Sequence, residues 1–266
     1  MDYENLKLEI EGAIAKITLM APLGRKFPTL DMQTGKELLA AIEKCEKTEQ
    51  VRVLIITGSG KAFSAGGDIK KFKESVEAGT PGELMDKLTK DLYRIAYKLK
   101  MLRIPVIAAV NGYAIGAGMN LALSCDLIIA SEKAQFAESF INIALIPGFA
   151  GTYYFPKLLP WPKVAEICFF GGMLSATEME KLGLVNKVVS PEDLETLVNE
   201  YAEKLANKPT LAIGRMKKLF MNGFNKDFET AIEDERKMQI KSAMTEDYKE
   251  GVFALNEKRK PLFKGK

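Results

Sequence analysis

The stretch Lys61-Ala62-Phe63-Ser64-Ala65-Gly66-Gly67-Asp68-Ile69-Lys70 follows closely on Val51 to Thr57, a short apolar run rich in β-branched residues that ends at Gly58-Ser59-Gly60. That run reads as a buried strand. The small residues behind it let a ligand approach the backbone closely and leave N–H groups outside any ladder. Taken alone, the segment also reads as a plain strand-to-helix connection. A second stretch, Asn111-Gly112-Tyr113-Ala114-Ile115-Gly116-Ala117-Gly118-Met119-Asn120, stands between the apolar run Val106 to Val110 and a helical segment, Met119 to Ser124. Its small residues at 116 to 118 would let amides at a helix N-terminus face an anion. It is a poor dinucleotide fingerprint, because Leu121 stands where the third glycine belongs, and Gly58-Ser59-Gly60-Lys61 lacks phosphate-loop spacing. Two amide-presenting turns, each behind a buried strand, predict a pair of donors converging on one oxygen, the requirement for an oxyanion hole.

Outward from these turns, Leu6, Leu8 and Ile10, then Ile14, Ile17 and Leu19 around Gly12, predict a hairpin. Helical spacing covers Met32 to Lys47 and Glu83 to Met101, Pro105 punctuates, and Leu127 to Ala130 returns as a strand. From Gly151 onward the pattern turns mainly helical, with a capping-box start at Ser175-Ala176-Thr177-Glu178 and a helix from Pro191 to Ala206. The last sixty residues read as helices bounded by Pro209, Gly223 and Thr245. No linker or low-complexity run divides the chain, so it reads as one α/β domain with a helical C-terminal part.

Composition narrows the chemistry. A net charge of +3 in 266 residues gives no argument for nucleic acid as a partner. No apolar run reaches membrane-spanning length and the first twenty residues lack a signal-peptide pattern, so the chain reads as cytoplasmic and unprocessed, with no membrane partner. Cys45, Cys125 and Cys168 fit neither a disulfide framework nor metal-ligand spacing and read as buried thiols. There is no histidine, which excludes Ser-His-Asp and Cys-His catalysis and HExxH metal sites. Any acid or base must be Asp, Glu, Lys, Tyr, Cys or water.

The order Ala62 to Lys70, Asn111 to Gly118, then Cys125-Asp126-Leu127 resembles the crotonase (enoyl-CoA hydratase/isomerase) superfamily. The resemblance continues through Ala134-Gln135-Phe136, Ile146-Pro147-Gly148, Ala150-Gly151-Thr152 and Gly183-Leu184-Val185 to Phe253 and Glu257-Lys258-Arg259-Lys260-Pro261-Leu262-Phe263, nearly the whole chain. It implies a spiral of ββα units over residues 1–200 and, within the same domain, a helical trimerisation region over 201–266. It further implies an acyl-CoA substrate, coenzyme A being part of that substrate and no separate cofactor or metal being required, and a homotrimer or homohexamer. The thioester carbonyl would lie between the amides of Gly67 and Ala117. Ala65, Asp68, Ile69 and Lys70 would meet the pantetheine arm and adenine. Lys26, Lys70, Lys71 and the tail from Lys258 to Lys260 are candidates for the CoA phosphates, with Phe263 beside them, although each lysine also reads as a solvated surface charge. Where relatives often read Leu-Asn-Ala-Leu, this chain has Phe27-Pro28-Thr29-Leu30.

The resemblance breaks at the acid–base positions. The two glutamates that hydratases use correspond to Asn120 and Phe140, and a third carboxylate used by several relatives falls at Gly148. Asn120 can still orient water or a polar group, or it is a helix residue satisfied by neighbouring backbone. Phe140 predicts a dry acyl pocket. Glu138 lies two residues earlier, and in an extended segment it would point to the same side as Phe140, as a relocated base; Tyr113, Tyr153 and Tyr154 are weaker candidates. Three functions stay open at this point: a hydratase or isomerase with a non-standard base, a decarboxylase or other enolate-forming lyase acting on a CoA or carrier-protein thioester, and a catalytically weak acyl-CoA-binding subunit.

Overall fold

The computed structural model describes residues 3–266. The chain opens with the hairpin β1 (Leu6–Glu11) and β2 (Ile14–Leu19), then α1 (Met32–Lys47), whose N-terminus is capped by the Asp31 side chain accepting from the Thr34 amide. Three times in succession it then places a strand in a large sheet, a three-residue strand in a small sheet, and a helix or turn. The first turn is β3 (Val53–Gly58), β4 (Ala62–Ser64), α2 (Ile69–Glu77) and α3 (Pro81–Met101). The second is β5 (Val106–Val110), β6 (Tyr113–Ile115) and α4 (Ala117–Ser124). The third is β7 (Leu127–Ser131), β8 (Gln135–Ala137) and a 3-10 turn at Ser139–Ile143, followed by α5 (Gly151–Leu158) and α6 (Trp161–Phe170). The remaining elements are β9 (Met173–Ser175), α7 (Ala176–Lys181), β10 (Lys187–Val189), α8 (Leu194–Ala206), α9 (Thr210–Gly223), α10 (Phe228–Ala243) and α11 (Glu246–Asn256). This is the spiral of ββα units that the sequence led us to expect.

The large sheet has the order β1-β2-β3-β5-β7-β10, antiparallel only at the hairpin. Strands β3 and β5 carry Val, Leu, Ile and Ala almost without interruption because both their faces are covered, one by the main core and the other by α8 through Leu194, Val198 and Ala202. The small sheet, β4-β6-β8-β9, was not visible in the sequence. Its strands are too short to show a period of two, so the segments read as loops. They matter most for the site. Parallel pairing of β4 with β6, Ala62 opposite Tyr113 and Ser64 opposite Ala114, brings the C-terminal ends of both strands together and with them the two glycine turns.

Beyond residue 200, the chain is tied to the core by buried polar contacts. Lys217 on α9 is only 8% exposed and donates to the carbonyls of Leu99 and Ile104 and to the Asp126 carboxylate at 2.6 Å. All three cysteines are buried and free. Among the described residues no helix is long and apolar enough to cross a membrane, and no cluster of three potential metal ligands occurs.

Candidate active site

The two turns meet where the small sheet ends. Gly66 has φ +79°, a conformation that side chains rarely adopt, and a Cβ there would lie 2.4 Å from the Ile115 carbonyl oxygen and 3.4 Å from the Ala117 amide nitrogen. Only glycine permits this approach. Backbone bonds from Ala65 to Pro28 (2.8 Å) and from Leu30 to Gly66 (2.7 Å) hold the turn from its other side. The departure at Phe27-Pro28-Thr29-Leu30 is therefore tolerated, since main-chain groups make these bonds.

Ala117 is the first residue of α4, so its amide is one of the helix's orphan donors. Gly67 immediately precedes Asp68, the N-cap of α2. Among the described residues, neither amide donates to a protein acceptor. Both residues line a cavity of about 360 Å³, within the size range of small-molecule sites. Its other walls are largely apolar, with Leu88 and Leu92 on one side and Phe140, Leu145, Ile146 and Phe149 on the other. The arrangement offers two N–H groups without protein acceptors in the wall of a largely apolar cavity, where a hydrogen bond to a developing oxyanion is worth more than in bulk water.

Other predicted residues fall in different places. Ala65 and Ile69 line the cavity. Asp68 does not. Its carboxylate, 4% exposed, accepts from the amides of Lys70 (3.0 Å) and Lys71 (3.4 Å) and from Arg25 at 2.6 Å, so it caps α2 and anchors the 25–30 segment and is not free for a ligand. Lys26 and Lys70 are exposed and outside the lining, Lys26 lying 5.2 Å from the centre of the Phe27 ring. Lys260 and Phe263 are not brought to the cavity by their own chain. The Phe263 carbonyl accepts from Arg52, and Asp247 holds the amides of Lys264 and Gly265, which pins the tail at the N-terminal end of β3. The glycine turns come after β4 and β6, beyond the opposite end of that strand, which is itself about 20 Å long at 3.3 Å per residue.

The acid–base candidates need two corrections. Asn120 is fully buried behind the cavity wall, its Nδ2 donating to the Gly148 carbonyl at 2.8 Å, so it braces the 148–151 loop instead of facing a substrate. Glu138 does not point with Phe140. The extended segment ends at Ala137, and the 3-10 turn that begins at Ser139 breaks the alternation on which that expectation rested. Phe140 lines the cavity, whereas Glu138 is fully buried beneath it, near Asn120 and Cys168.

Burial pushes the Glu138 carboxyl up to about 8, the neighbouring Asn120 amide partly offsetting it. At neutral pH it is an acid, not a base. Neither of its oxygens nor Asn120 Oδ1 has a hydrogen-bond partner among the described residues, and the retained proton supplies a donor to that cluster. The thermodynamic sign follows from the two pKa values. Between about 4.5, where the unfolded carboxyl ionises, and about 8, the folded state keeps a proton that the unfolded state has released, so stability falls as pH rises through that window. Glu138→Gln should remove this fall. The variant is expected to match wild type below the window and to exceed it by up to about 5 kcal/mol above it, as read by urea unfolding across the range. A wild-type stability flat through the window would refute the assignment.

Sequence reasoning missed Tyr93. It stands on α3, where Met85, Leu88, Thr89, Leu92 and Tyr93 follow the i, i+3, i+4, i+7, i+8 pattern of one helix face, and all five line the cavity. The period was legible, but which loops the face meets was not.

Known proteins of similar sequence and fold point to a family. The family model described as enoyl-CoA hydratase/isomerase matches residues 9–266. The chain is 35% identical over 263 residues to a short-chain-enoyl-CoA hydratase of Clostridium acetobutylicum, covering 98% of this chain and 97% of that protein. It is 29% identical to a trans-2-decenoyl-[acyl-carrier-protein] isomerase of Streptococcus mutans, with all of both chains covered. Among solved structures, an enoyl-CoA hydratase subunit of Geobacillus kaustophilus superimposes with a TM-score of 0.89 at 36% identity over the full length of both chains.

Proposed function

The chain belongs to the enoyl-CoA hydratase/isomerase family, and on that premise we propose that it binds an acyl-CoA thioester with the carbonyl oxygen between the Gly67 and Ala117 amides and stabilises the enolate formed from it. The observation that carries this reading is the pair of amides without protein acceptors on two residues that line one apolar cavity. A thioester's α-proton becomes usefully acidic only when the developing oxyanion is stabilised, and one such donor is worth about 3–4 kcal/mol. Because the bonds come from the main chain, glycine and alanine suffice. The reaction falls in the hydratase/isomerase class, with atypical acid–base groups replacing the usual carboxylates. The test is α-proton exchange: butyryl-CoA in deuterated buffer should exchange its α-protons when the protein is added. Failure to bind butyryl-CoA, or exchange no faster than in buffer, would contradict it.

One observation favours a second reading. Among the described residues, no carboxylate lines the cavity. Loss of CO2 from a 2-carboxyacyl thioester leaves an enolate without any base removing a proton, so an oxyanion hole in a dry site is sufficient. Release of CO2 from malonyl-CoA, absent without protein, would select this reading. A purely binding role is disfavoured, since a scaffold has no use for two open amide turns.

The proposal extends to assembly. Phe220, Phe224, Phe228, Ile232 and Met244, on and beside α9 and α10, are all large apolar side chains left exposed on this chain. Burial of these side chains in a homotrimer, or a hexamer built from trimers, fits that exposure. It would also let the tail that carries Lys260 and Phe263 serve a cavity on a neighbouring copy. Sedimentation should show a trimer or its double, and a stable monomer at micromolar concentration would contradict it.

A further inference from the structure

Among the described residues, Tyr93 is the one titratable side chain in the lining of the cavity. The other polar side chains there are Thr89, Ser139 and Asn142. Thr89 donates its hydroxyl to the Met85 carbonyl at 2.7 Å, and the Asn142 amide is turned toward the Gly171 carbonyl at 3.4 Å. The Tyr93 hydroxyl has no protein partner among the described residues, and the residue is 46% exposed, so it is in contact with both the cavity and solvent.

Its position relative to the amides can be traced atom by atom. A Cβ built on Gly116, the residue before the Ala117 amide, would lie 3.5 Å from one edge of the Phe140 ring. A Cβ built on Gly148 would lie 3.3 Å from the other edge of that ring and 3.3 Å from the Tyr93 hydroxyl. The Phe140 ring therefore has the Gly116 turn at one edge and the Gly148–Tyr93 pair at the other, and all of these residues line the same cavity as the two amides. A thioester's α-carbon is bonded to the carbonyl carbon held at those amides and projects into the same chamber.

We infer that Tyr93 is a catalytic residue that delivers the proton to the α-carbon of the bound enolate. The inference rests on the enolate reading above. In the step, the phenol O–H bond breaks and a Cα–H bond forms from the electron pair of the enolate double bond, which restores the thioester carbonyl. The phenolate then takes a proton from solvent through its exposed side. No redox partner is required, and the step completes a hydration, a decarboxylation or the isomerisation of a 2-enoyl to a 3-enoyl thioester. By microscopic reversibility the same oxygen removes the α-proton in the reverse direction.

The experiment measures α-deuterium exchange into butyryl-CoA by wild type and Tyr93→Phe, together with butyryl-CoA affinity. Tyr93→Phe keeps the ring and removes only an oxygen with no protein partner, so the fold and the dissociation constant should be unchanged. Exchange should fall at least about 100-fold, the lower end for a positioned general acid–base group. Unchanged exchange in a variant that binds as well as wild type would overturn the assignment of Tyr93 while leaving the enolate reading intact. Binding by wild type with no exchange would also overturn Tyr93, since a donor to the α-carbon must also accept from it. Failure of wild type to bind butyryl-CoA would remove the enolate reading itself. A fall in exchange explained entirely by weaker binding would reduce Tyr93 to a packing role and likewise overturn the inference.

Discussion

Gly67→Val is expected to abolish α-proton exchange while leaving the protein folded. A Cβ on residue 67 would lie 2.5 Å from the tip of the Phe72 ring, and both residues line the cavity, so a branched side chain there forces that ring into the space beside the amide. The turn itself has room to survive: Gly67 has no positive φ, and its neighbour Gly66, which does, is untouched. Losing access to one donor of an oxyanion hole costs about 100- to 1,000-fold in rate, and blocking the carbonyl from both donors exceeds that. Ala117→Val tests the second donor in the same way. Circular dichroism and thermal unfolding establish that the variants fold. Exchange at the wild-type rate in both folded variants would refute the oxyanion assignment.

Crotonyl-CoA hydration by the wild type should be slow, several orders of magnitude below that of a hydratase with two glutamates. Adding water across the double bond needs one group to deprotonate the water and another to protonate the α-carbon. Each positioned group is worth about 100- to 10,000-fold. Asn120 faces away from the cavity and Phe140 has no ionisable group, so among the described residues no carboxylate lines the cavity to activate the water. Phe140→Glu places a carboxyl on the lining and is expected to raise hydration. Asn120→Glu is not expected to help, because it would crowd a second carboxyl against Glu138 in a sealed space and remove the brace on the Gly148 carbonyl. A side-by-side assay of wild type and Phe140→Glu on crotonyl-CoA, with binding measured separately, decides the matter. Fast wild-type hydration would mean that a base lies elsewhere, and Glu138→Gln would then be the variant to measure.

The parts of this molecule that sequence made legible are those with long periods or strict backbone demands. The helix at Met32–Lys47 and the strand at Val106–Val110 have the predicted bounds, and the capping box at Ser175 is present. Gly66 could be read because only glycine fits a left-handed turn against the Ile115 carbonyl. The small sheet was hidden because three residues carry no period, and its absence from the sequence reading concealed how the two turns are joined. Side-chain direction was the other failure. Glu138 sits at the junction of a strand and a 3-10 turn, where neither periodicity applies, and Asn120 lies on a helix buried all round, where no face is marked by hydrophobicity. Tyr93 was overlooked because a tyrosine on an amphipathic helix is an ordinary boundary residue until the opposing loop is known.

The central claim is that two backbone amides polarise a thioester carbonyl, and the carbonyl itself reports on it. Isotope-edited infrared spectra of butyryl-CoA labelled with 13C at the thioester carbon should show the C=O stretch moving to lower frequency on binding to the wild type, as hydrogen bonds draw charge onto oxygen. The shift should be lost in Gly67→Val. A bound carbonyl whose stretch remains at or above its value in water, with occupancy confirmed by titration, would contradict the account.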